Sequence, residues 1–348
     1  MSYELRPLRR RWFKRLGLAL LVVLAAALLA GVLYEQSARR QVARNFPPPG
    51  KMIDVGGRRM HLDCRGTGSP IVILETIAAP MGAVSWYKVH DAAARITRTC
   101  AYDRAGIGWS EPASGLRTGK AIVTDLHQLL TAAHELGPYV MVGASLGGPL
   151  VMTFTKYYGQ EVAGLVLVDA SHPDQKQRIK AAIGRDLDYA PAIQKVLAAL
   201  VWTGLPRLLM GGVPQPGAVS PAEGAMSAYL PTSLGPSLDE ISQLDTTWHE
   251  AGALRTLGDR PLAVLTAAKP YTDELATFQL SAEQGHRMQQ AWFEMQKDEA
   301  SWSSRSTQRY LKDSGHGIQL ERPDAVIDAI RQVVDQVRGG VPASASDS

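Results

Sequence analysis

Residues 140–150 read VMVGASLGGPL, and this stretch decides the fold. Residues 139–142 have the composition of a buried strand, 143–147 spell GASLG, and 148–158 have the composition of a helix. A serine at a sharp strand-to-helix turn is lifted above the sheet edge, and small residues must stand two places to either side of it. The N-terminus of the following helix also favours negative charge that develops there. The pattern therefore predicts that Ser145 is a nucleophile.

Strand and helix signals alternate on both sides of this turn. Strand signals lie at 52–55, 59–63, 71–75, 98–102, 139–142, 162–168, 261–265 and 309–312. Helical periodicity is clearest at 121–136 and 323–337. Alternation of this kind predicts an α/β protein with a mostly parallel sheet and helices on both faces.

The pattern changes between residues 172 and 258, where strand signals give way to helix-like stretches broken by glycine and proline. This predicts a helical cap inserted between two core segments, 51–171 and 259–338. The stretch 200–210 is strongly apolar, and we expect part of it to line a substrate pocket.

The nucleophile needs a base, because a serine hydroxyl is weakly nucleophilic by itself. His316 has the best setting among the eight histidines, since it lies after a weak strand and just before the closing helix. The order serine before histidine is that of hydrolases with a nucleophile on a strand-to-helix turn. We therefore predict that His316 is the general base.

Three stretches resemble landmarks of the α/β-hydrolase fold family, in its branch with a helical cap. They are GASLGG at 143–148, YDRAGIGWS at 102–110 and SGHGIQLERPDAV at 314–326. The resemblance covers roughly residues 50–338. It implies an eight-stranded sheet with the cap after the sixth strand. It also implies that the strands bearing Cys64 and Cys100 are neighbours, which favours a disulfide over two buried thiols.

The resemblance also implies a third catalytic residue, a carboxylate that orients the histidine. Family members place it after the seventh strand or at the end of the sixth. Asp169 fits the second position and is the predicted acid, and Asp273, slightly late after the seventh strand, is the alternative.

An oxyanion hole needs two backbone amides. Leu146, next to the nucleophile, is predicted to supply one. The second is predicted from the loop after 71–75, with the Ala78 amide favoured over that of Ile77, which stands where relatives commonly have glycine. Asp103 and Arg104 are predicted to hold a turn rather than to act on substrate.

The N-terminal segment predicts a membrane anchor. Residues 1–15 carry six cations and one acid, and residues 16–34 carry no charge. Nineteen helical residues span about 28 Å, close to a bilayer core. The excess of cations before the span predicts a cytoplasmic N-terminus and a periplasmic or extracellular body. A cleaved signal peptide is the alternative. We expect a linker over 35–50 and a disordered tail over 339–348.

Composition limits the partners. The net charge is +4 and the first 15 residues account for the excess, so the near-neutral body has no electrostatic footprint for nucleic acid. The sequence contains no H-E-x-x-H, C-x-x-C or P-loop pattern, and we therefore expect neither a metal nor a cofactor. We expect a serine hydrolase acting on a small hydrophobic ester. Amide, lactone or carbon–carbon bond hydrolysis, and a non-catalytic ligand-binding role, are the alternatives.

Overall fold

The computed structural model describes residues 6–340, and within them the side chains of all but residues 6–11, 273, 274 and 340. The first five residues and the predicted tail from residue 341 onward lie outside the described part. The strands are β1 (Lys51–Asp54), β2 (Arg59–Arg65), β3 (Ile71–Glu75), β4 (Thr99–Tyr102), β5 (Tyr139–Ala144), β6 (Val162–Val168), β7 (Leu262–Ala267) and β8 (Ser306–Leu311).

These strands form one eight-stranded sheet in the order β1-β2-β4-β3-β5-β6-β7-β8. Strands β1, β2 and β4 pair antiparallel, and every pair from β4 to β8 is parallel. Parallel strands end at a common edge of the sheet, so the loops after β3, β5, β6, β7 and β8 meet there. The predicted fold class, with its mostly parallel eight-stranded sheet, is confirmed.

One helix precedes β1, and from β3 onward one or more helices follow each strand. They are α1 (Arg6–Asn45), α2 (His90–Ala94), α3 (Gly119–Ala132), α4 (Gly147–Tyr158), α5 (Gln175–Ile183), α6 (Ala192–Ala199), α7 (Leu205–Leu209), α8 (Pro221–Ser242), α9 (Leu244–Ala251), α10 (Asp273–Thr277), α11 (Ala282–Ala300), α12 (Ile318–Glu321) and α13 (Pro323–Gly340). Five of them, α5 to α9, lie between β6 and β7. Residues 172–258 are called the cap below.

The core has two layers because successive strand residues point to opposite faces of the sheet. In β3, Ile71 and Ile73 pack with α3, α4 and α9, whereas Val72 and Leu74 pack with α2 and α13. The sheet is therefore apolar on both sides and is covered by helices on both, as a parallel sheet requires.

The predicted linker over 35–50 is wrong in its first part, because α1 continues without a break to Asn45. Glu35, Ala38 and Val42 are spaced three and four residues apart, so they share one helix face, and they are buried against the body. Phe46 is buried just beyond the helix end, and the proline run over 47–49 follows it.

The N-terminal part of α1 is different. From Trp12 onward the helix is long and apolar enough to cross a bilayer, and its most apolar window is not buried by the rest of the protein. This agrees with an apolar span over 16–34.

Candidate active site

Ser145 lies between the end of β5 and the start of α4, with a φ of 49°. A left-handed backbone is unfavourable for serine, so the surrounding contacts must hold it. The backbone around this turn is packed so closely that Gly143 and Gly147 have no room for a side chain. A Cβ at Gly143 would lie 2.4 Å from the Gly147 oxygen, and one at Gly147 would lie 2.5 Å from the Glu75 oxygen. The glycines of the pentapeptide thus permit the turn that presents Ser145.

His316 lies in the loop between β8 and α12, and its Nε2 is 2.9 Å from Oγ of Ser145. Its side chain is 44% exposed, so solvent reaches the imidazole. The structure therefore brings together two predicted site residues that are 171 positions apart in the chain.

Asp169 follows directly after β6, with a φ of 44° and a buried side chain. Its Oδ2 lies 2.6 Å from Nδ1 of His316. Its Oδ1 accepts hydrogen bonds from the Ala267 amide at 2.9 Å and from Nε1 of Trp292 at 2.8 Å. Because the carboxylate fixes Nδ1 as the protonated nitrogen, Nε2 is free to accept the Ser145 proton. The side chain of the alternative acid, Asp273, is outside the described part of the chain.

Trp292 of α11 is a site residue that the sequence analysis missed. Besides donating to Asp169, its ring meets the His316 ring edge to face, with centroids 5.8 Å apart. Four residues on, Gln296 donates from Nε2 to the Ala170 oxygen at 2.7 Å. One face of α11 thus holds the loop that carries Asp169.

A second carboxyl group near Asp169 is that of Glu299, which is buried. Burial raises the pKa of Glu299 well above its ordinary value, and the nearby charge of Asp169 raises it further. Both effects favour the protonated form of Glu299, which carries no negative charge beside Asp169.

The loop after β3 carries the residues that are predicted to form the oxyanion hole. This loop begins against the Ser145 turn, because Gly147 is so close to the Glu75 oxygen that a Cβ at position 147 would clash with it. The Thr76 amide is occupied, because it donates to Oε1 of Glu75. In residues 6–340 the amides of Leu146, Ile77 and Ala78 have no protein acceptor. No described protein acceptor therefore competes for either predicted donor or for the alternative, Ile77.

The side chain of Arg104 hydrogen-bonds to two backbone carbonyl oxygens of this loop. Its guanidinium donates to the Thr76 oxygen at 3.0 Å and to the Ile77 oxygen at 2.7 Å. The same group donates to Glu75 at 2.7 Å and, across the cap boundary, to Glu240 of α8 at 2.9 Å. All three charged side chains are buried. An arginine suits this position because its planar guanidinium can donate several hydrogen bonds in fixed directions at once, here to two carboxylates and two backbone oxygens.

Asp103 holds a turn, as predicted. Its carboxylate accepts from the Ala83 amide at 2.6 Å, the Trp109 amide at 3.1 Å and Nδ1 of His61 at 2.9 Å. The prediction that Arg104 helps to hold the same turn is corrected, because its side chain reaches the loop after β3 instead. A planar guanidinium with two buried glutamates beside it is stabilised there by charge pairing.

Cys64 and Cys100 occupy opposite positions on β2 and β4 and are joined as a disulfide.

A cluster of His172, Asp174 and Asp298 has ligand atoms close enough to surround a cation. However, Arg255 and Arg178 already pair with its carboxylates, so the described side chains form an ion-pair cluster that is neutralised from within.

Comparisons with known proteins agree with this architecture. Residues 69–201 match a family described as the alpha/beta hydrolase fold. A 2-hydroxy-6-oxo-2,4-heptadienoate hydrolase of Pseudomonas putida is 31% identical over 123 residues, covering 35% of this chain and 44% of that protein. The chain spans less than half the length of each of the curated relatives it matches.

Solved structures are similar over most of the chain. A thermophilic esterase from Thermogutta terrifontis has a TM-score of 0.55 and 19% identity, covering 82% of this chain and 98% of that one. A meta-cleavage product hydrolase from Pseudomonas fluorescens has a TM-score of 0.56 and 16% identity, covering 83% and 98%. Identities this low show the fold alone. The strand order, the turn at Ser145, the match over 69–201 and the similar solved structures together show that this chain has the α/β-hydrolase fold.

Proposed function

We propose that the protein is a serine hydrolase that cleaves a carboxylic ester through Ser145, His316 and Asp169. The observation that carries the proposal is the continuous chain of hydrogen bonds, from Oγ to Nε2 at 2.9 Å and from Nδ1 to the carboxylate at 2.6 Å. These are the contacts that a nucleophile, a base and an orienting acid require.

In the proposed reaction, Oγ of Ser145 attacks the substrate carbonyl carbon and its proton passes to Nε2 of His316. Negative charge develops on the carbonyl oxygen, and the amides of Leu146 and Ala78 donate to it. When the intermediate collapses, His316 protonates the leaving alcohol and an acyl-enzyme remains. Water, deprotonated by His316, then attacks the acyl-enzyme, and the carboxylic acid and free Ser145 are released.

The same three side chains can cleave several kinds of bond, and an ester is the one we propose. An ester is favoured because the Thermogutta terrifontis structure, which shares the fold, is that of an esterase. The apolar stretch 200–210, which we expected to line a substrate pocket in part, instead exposes Trp202, Leu208 and Leu209 on the surface of the cap. Carbon–carbon bond hydrolysis is the second candidate, since the Pseudomonas putida relative and the Pseudomonas fluorescens structure are named for such substrates. Amide and lactone hydrolysis use the same three side chains and stay open.

A binding protein without catalysis is the alternative from another class. The loop after β3 has Ile77 where a glycine is common, and a blocked oxyanion hole would produce such a protein. Against it stand the free amides of Ile77 and Ala78 and the two short hydrogen bonds of His316. A protein that only binds a ligand has no need for a strained serine within reach of an imidazole.

We further propose that α1 anchors the protein in a membrane with the N-terminus in the cytoplasm and the body in the periplasm or outside the cell. The unburied apolar surface of α1 and the cations over residues 6–15 support this orientation. Substrates would then be small molecules reached from the far side of that membrane.

A fluorophosphonate probe tests the chemistry, because it forms a covalent bond only with an activated serine. We expect wild-type protein to be labelled and Ser145→Ala to be unlabelled. Ser171→Ala is the matched control, since the Ser171 hydroxyl is nearby but bonds to Gln175. A folded wild-type protein that resists the probe would favour the binding role.

A second experiment separates ester hydrolysis from carbon–carbon bond hydrolysis. Rates of hydrolysis are measured on p-nitrophenyl esters of increasing chain length and compared with the rate on a vinylogous diketone.

A further inference from the structure

The cap exposes a concentration of large apolar side chains. In the described part of the chain outside α1, eleven large apolar side chains are exposed, and six of them fall within residues 193–209. We call these six the apolar patch: Ile193, Val196, Trp202, Leu205, Leu208 and Leu209. Single exposed apolar residues are ordinary, but a group confined to one short segment marks an interaction surface.

The segment that carries the patch is in direct contact with α1. A Cβ at Gly31 would lie 2.3 Å from the Thr203 oxygen, and one at Gly204 would lie 2.7 Å from the Gly31 oxygen. Contacts this close between two backbones are possible only because both positions are glycine. The cap therefore touches α1 within the last turn of its apolar span, next to Trp202.

A buried ion pair fixes this contact. Arg207 donates from Nε and Nη2 to the two carboxylate oxygens of Glu35, at 2.8 and 3.0 Å. The remaining nitrogen donates to the Ala228 oxygen at 2.9 Å. Two parallel hydrogen bonds restrict the geometry more than a single contact would. The patch is thus held at a defined height along the helix.

That height corresponds to the edge of a bilayer. The apolar side chains of α1 are exposed from Trp12 to Leu33, so the contact at residues 31–35 lies where the span ends. Arg39, Arg40 and Arg44 are exposed beyond it, roughly 8–15 Å further along the helix axis at 1.5 Å per residue. Cations at this distance lie at the level of phosphate headgroups.

We propose that the apolar patch of the cap is immersed in the interfacial layer of the bilayer that α1 spans. The occupant of this surface is phospholipid, since the neighbouring surface of α1 continues the patch into the apolar span. Trp202 is suited to this layer, where the amphipathic indole is favoured. The proposal rests on the membrane anchoring proposed above for α1 and does not depend on the hydrolytic chemistry.

Tryptophan fluorescence in vesicles tests this placement. Of the tryptophans in the described part, Trp12 and Trp202 are the two exposed ones. The full chain with Trp12→Phe is reconstituted into phosphatidylcholine brominated near the headgroup end of the acyl chain. We expect its emission to be quenched by the bromines, and the quenching to be lost when Trp202→Phe is added.

Two controls decide the other outcomes. Trp202→Phe alone keeps Trp12 and must be quenched by the bromines, because otherwise α1 is not in the bilayer and the proposal fails. Leu136→Trp, added to the chain without Trp12 and Trp202, places an indole at an exposed site just before β5, at the sheet edge opposite the loop from β6 into the cap, and should respond only to aqueous iodide. The proposal is overturned if Trp202 responds to iodide as this control does, or to neither quencher, which would indicate cover by a second protein chain.

Discussion

Nε1 of Trp292 donates a hydrogen bond to Oδ1 of Asp169 at 2.8 Å, across 123 positions of the chain. Oδ1 also accepts from the Ala267 amide, which leaves Oδ2 to His316. Each oxygen therefore has its own partners, and the carboxylate cannot rotate without breaking two hydrogen bonds. We infer that α11 sets the orientation of the predicted catalytic acid.

Replacing Trp292 by phenylalanine keeps a ring beside His316 and removes the donor. A hydrogen bond to a charged group contributes about 1.5–3 kcal/mol, and we expect kcat to fall about tenfold because Asp169 is less firmly oriented. KM should change little, since Trp292 acts on substrate only through the acid. Steady-state kinetics with a p-nitrophenyl ester measure both constants.

Trp302→Phe is the matched control for that variant. Trp302 is also a buried tryptophan, but its Nε1 has no hydrogen-bond partner within the described residues. The change therefore removes an indole without removing a hydrogen bond. An equal loss of kcat in both variants would mean that ring volume, rather than the bond to Asp169, is what matters.

Asp169→Asn separates the two candidate acids. An amide in this position cannot stabilise the imidazolium and favours the wrong tautomer of His316, so we expect kcat to fall by about a thousandfold to ten-thousandfold. Asp273→Asn should retain most of the wild-type kcat. The assignment of the acid is wrong if the two variants behave the other way round. Fluorophosphonate labelling rates give an independent measure of the same effect.

Arg104→Lys tests whether the buried guanidinium positions the loop after β3. Lysine keeps the charge beside Glu75 but cannot donate to the Thr76 and Ile77 oxygens together. We expect kcat to fall about ten- to a hundredfold with little change in KM, which is less than the loss of an oxyanion donor itself.

Arg98→Lys is the control, because Arg98 forms a comparable pair with Glu135 away from the Ser145 turn. This variant should lose some stability and keep the wild-type kcat. A loss of stability alone in Arg104→Lys, measured by urea unfolding, would reduce Arg104 to a structural residue.

The fold could be predicted from local signals. Strand alternation, the small residues around Ser145 and the apolar stripe of the last helix are each set within about ten residues, and the observed sheet confirms the predicted class. The choice of His316 followed from its setting between a strand and the closing helix, whereas Asp169 was identified through the resemblance to the α/β-hydrolase family. Their catalytic roles stay predictions.

Other features depended on distant partners that no local pattern reveals. Trp292 reads as an ordinary apolar position of α11, and only the folded chain shows its bond to Asp169. The end of α1 is a second case. Glu35, Ala38 and Val42 share one helix face, but a face that includes a glutamate and is followed by several arginines is typical of an exposed segment, so only the folded chain shows that it is buried.

The disulfide predicts a redox-dependent stability. Cys64 and Cys100 are 36 residues apart, and closing such a loop stabilises a protein by about 3–4 kcal/mol in the chain-entropy model. We expect a reducing agent to lower the urea midpoint of the wild type and to leave a double Cys→Ser variant unchanged. Mass analysis of protein alkylated without prior reduction, taken from the side of the membrane where we propose the body lies, checks the pairing. Alkylated Cys64 and Cys100 would contradict it.

The last prediction concerns the pH dependence of stability, to which His172 should contribute in mild acid. Burial lowers the pKa of His172 to about 4, and the neutral ring fits its site, since Nδ1 accepts from the Asp174 amide and Nε2 lies 3.0 Å from Asp298. The unfolded chain then binds the proton first, so the free energy of unfolding should fall as the pH drops from about 6.5 to 4. His172→Asn keeps an acceptor for the Asp174 amide and removes the titrating group, so its stability should vary less over this window. His134→Asn, at an exposed site, should keep the wild-type slope in urea titrations, and equal slopes in all three proteins would rule out His172 as the source.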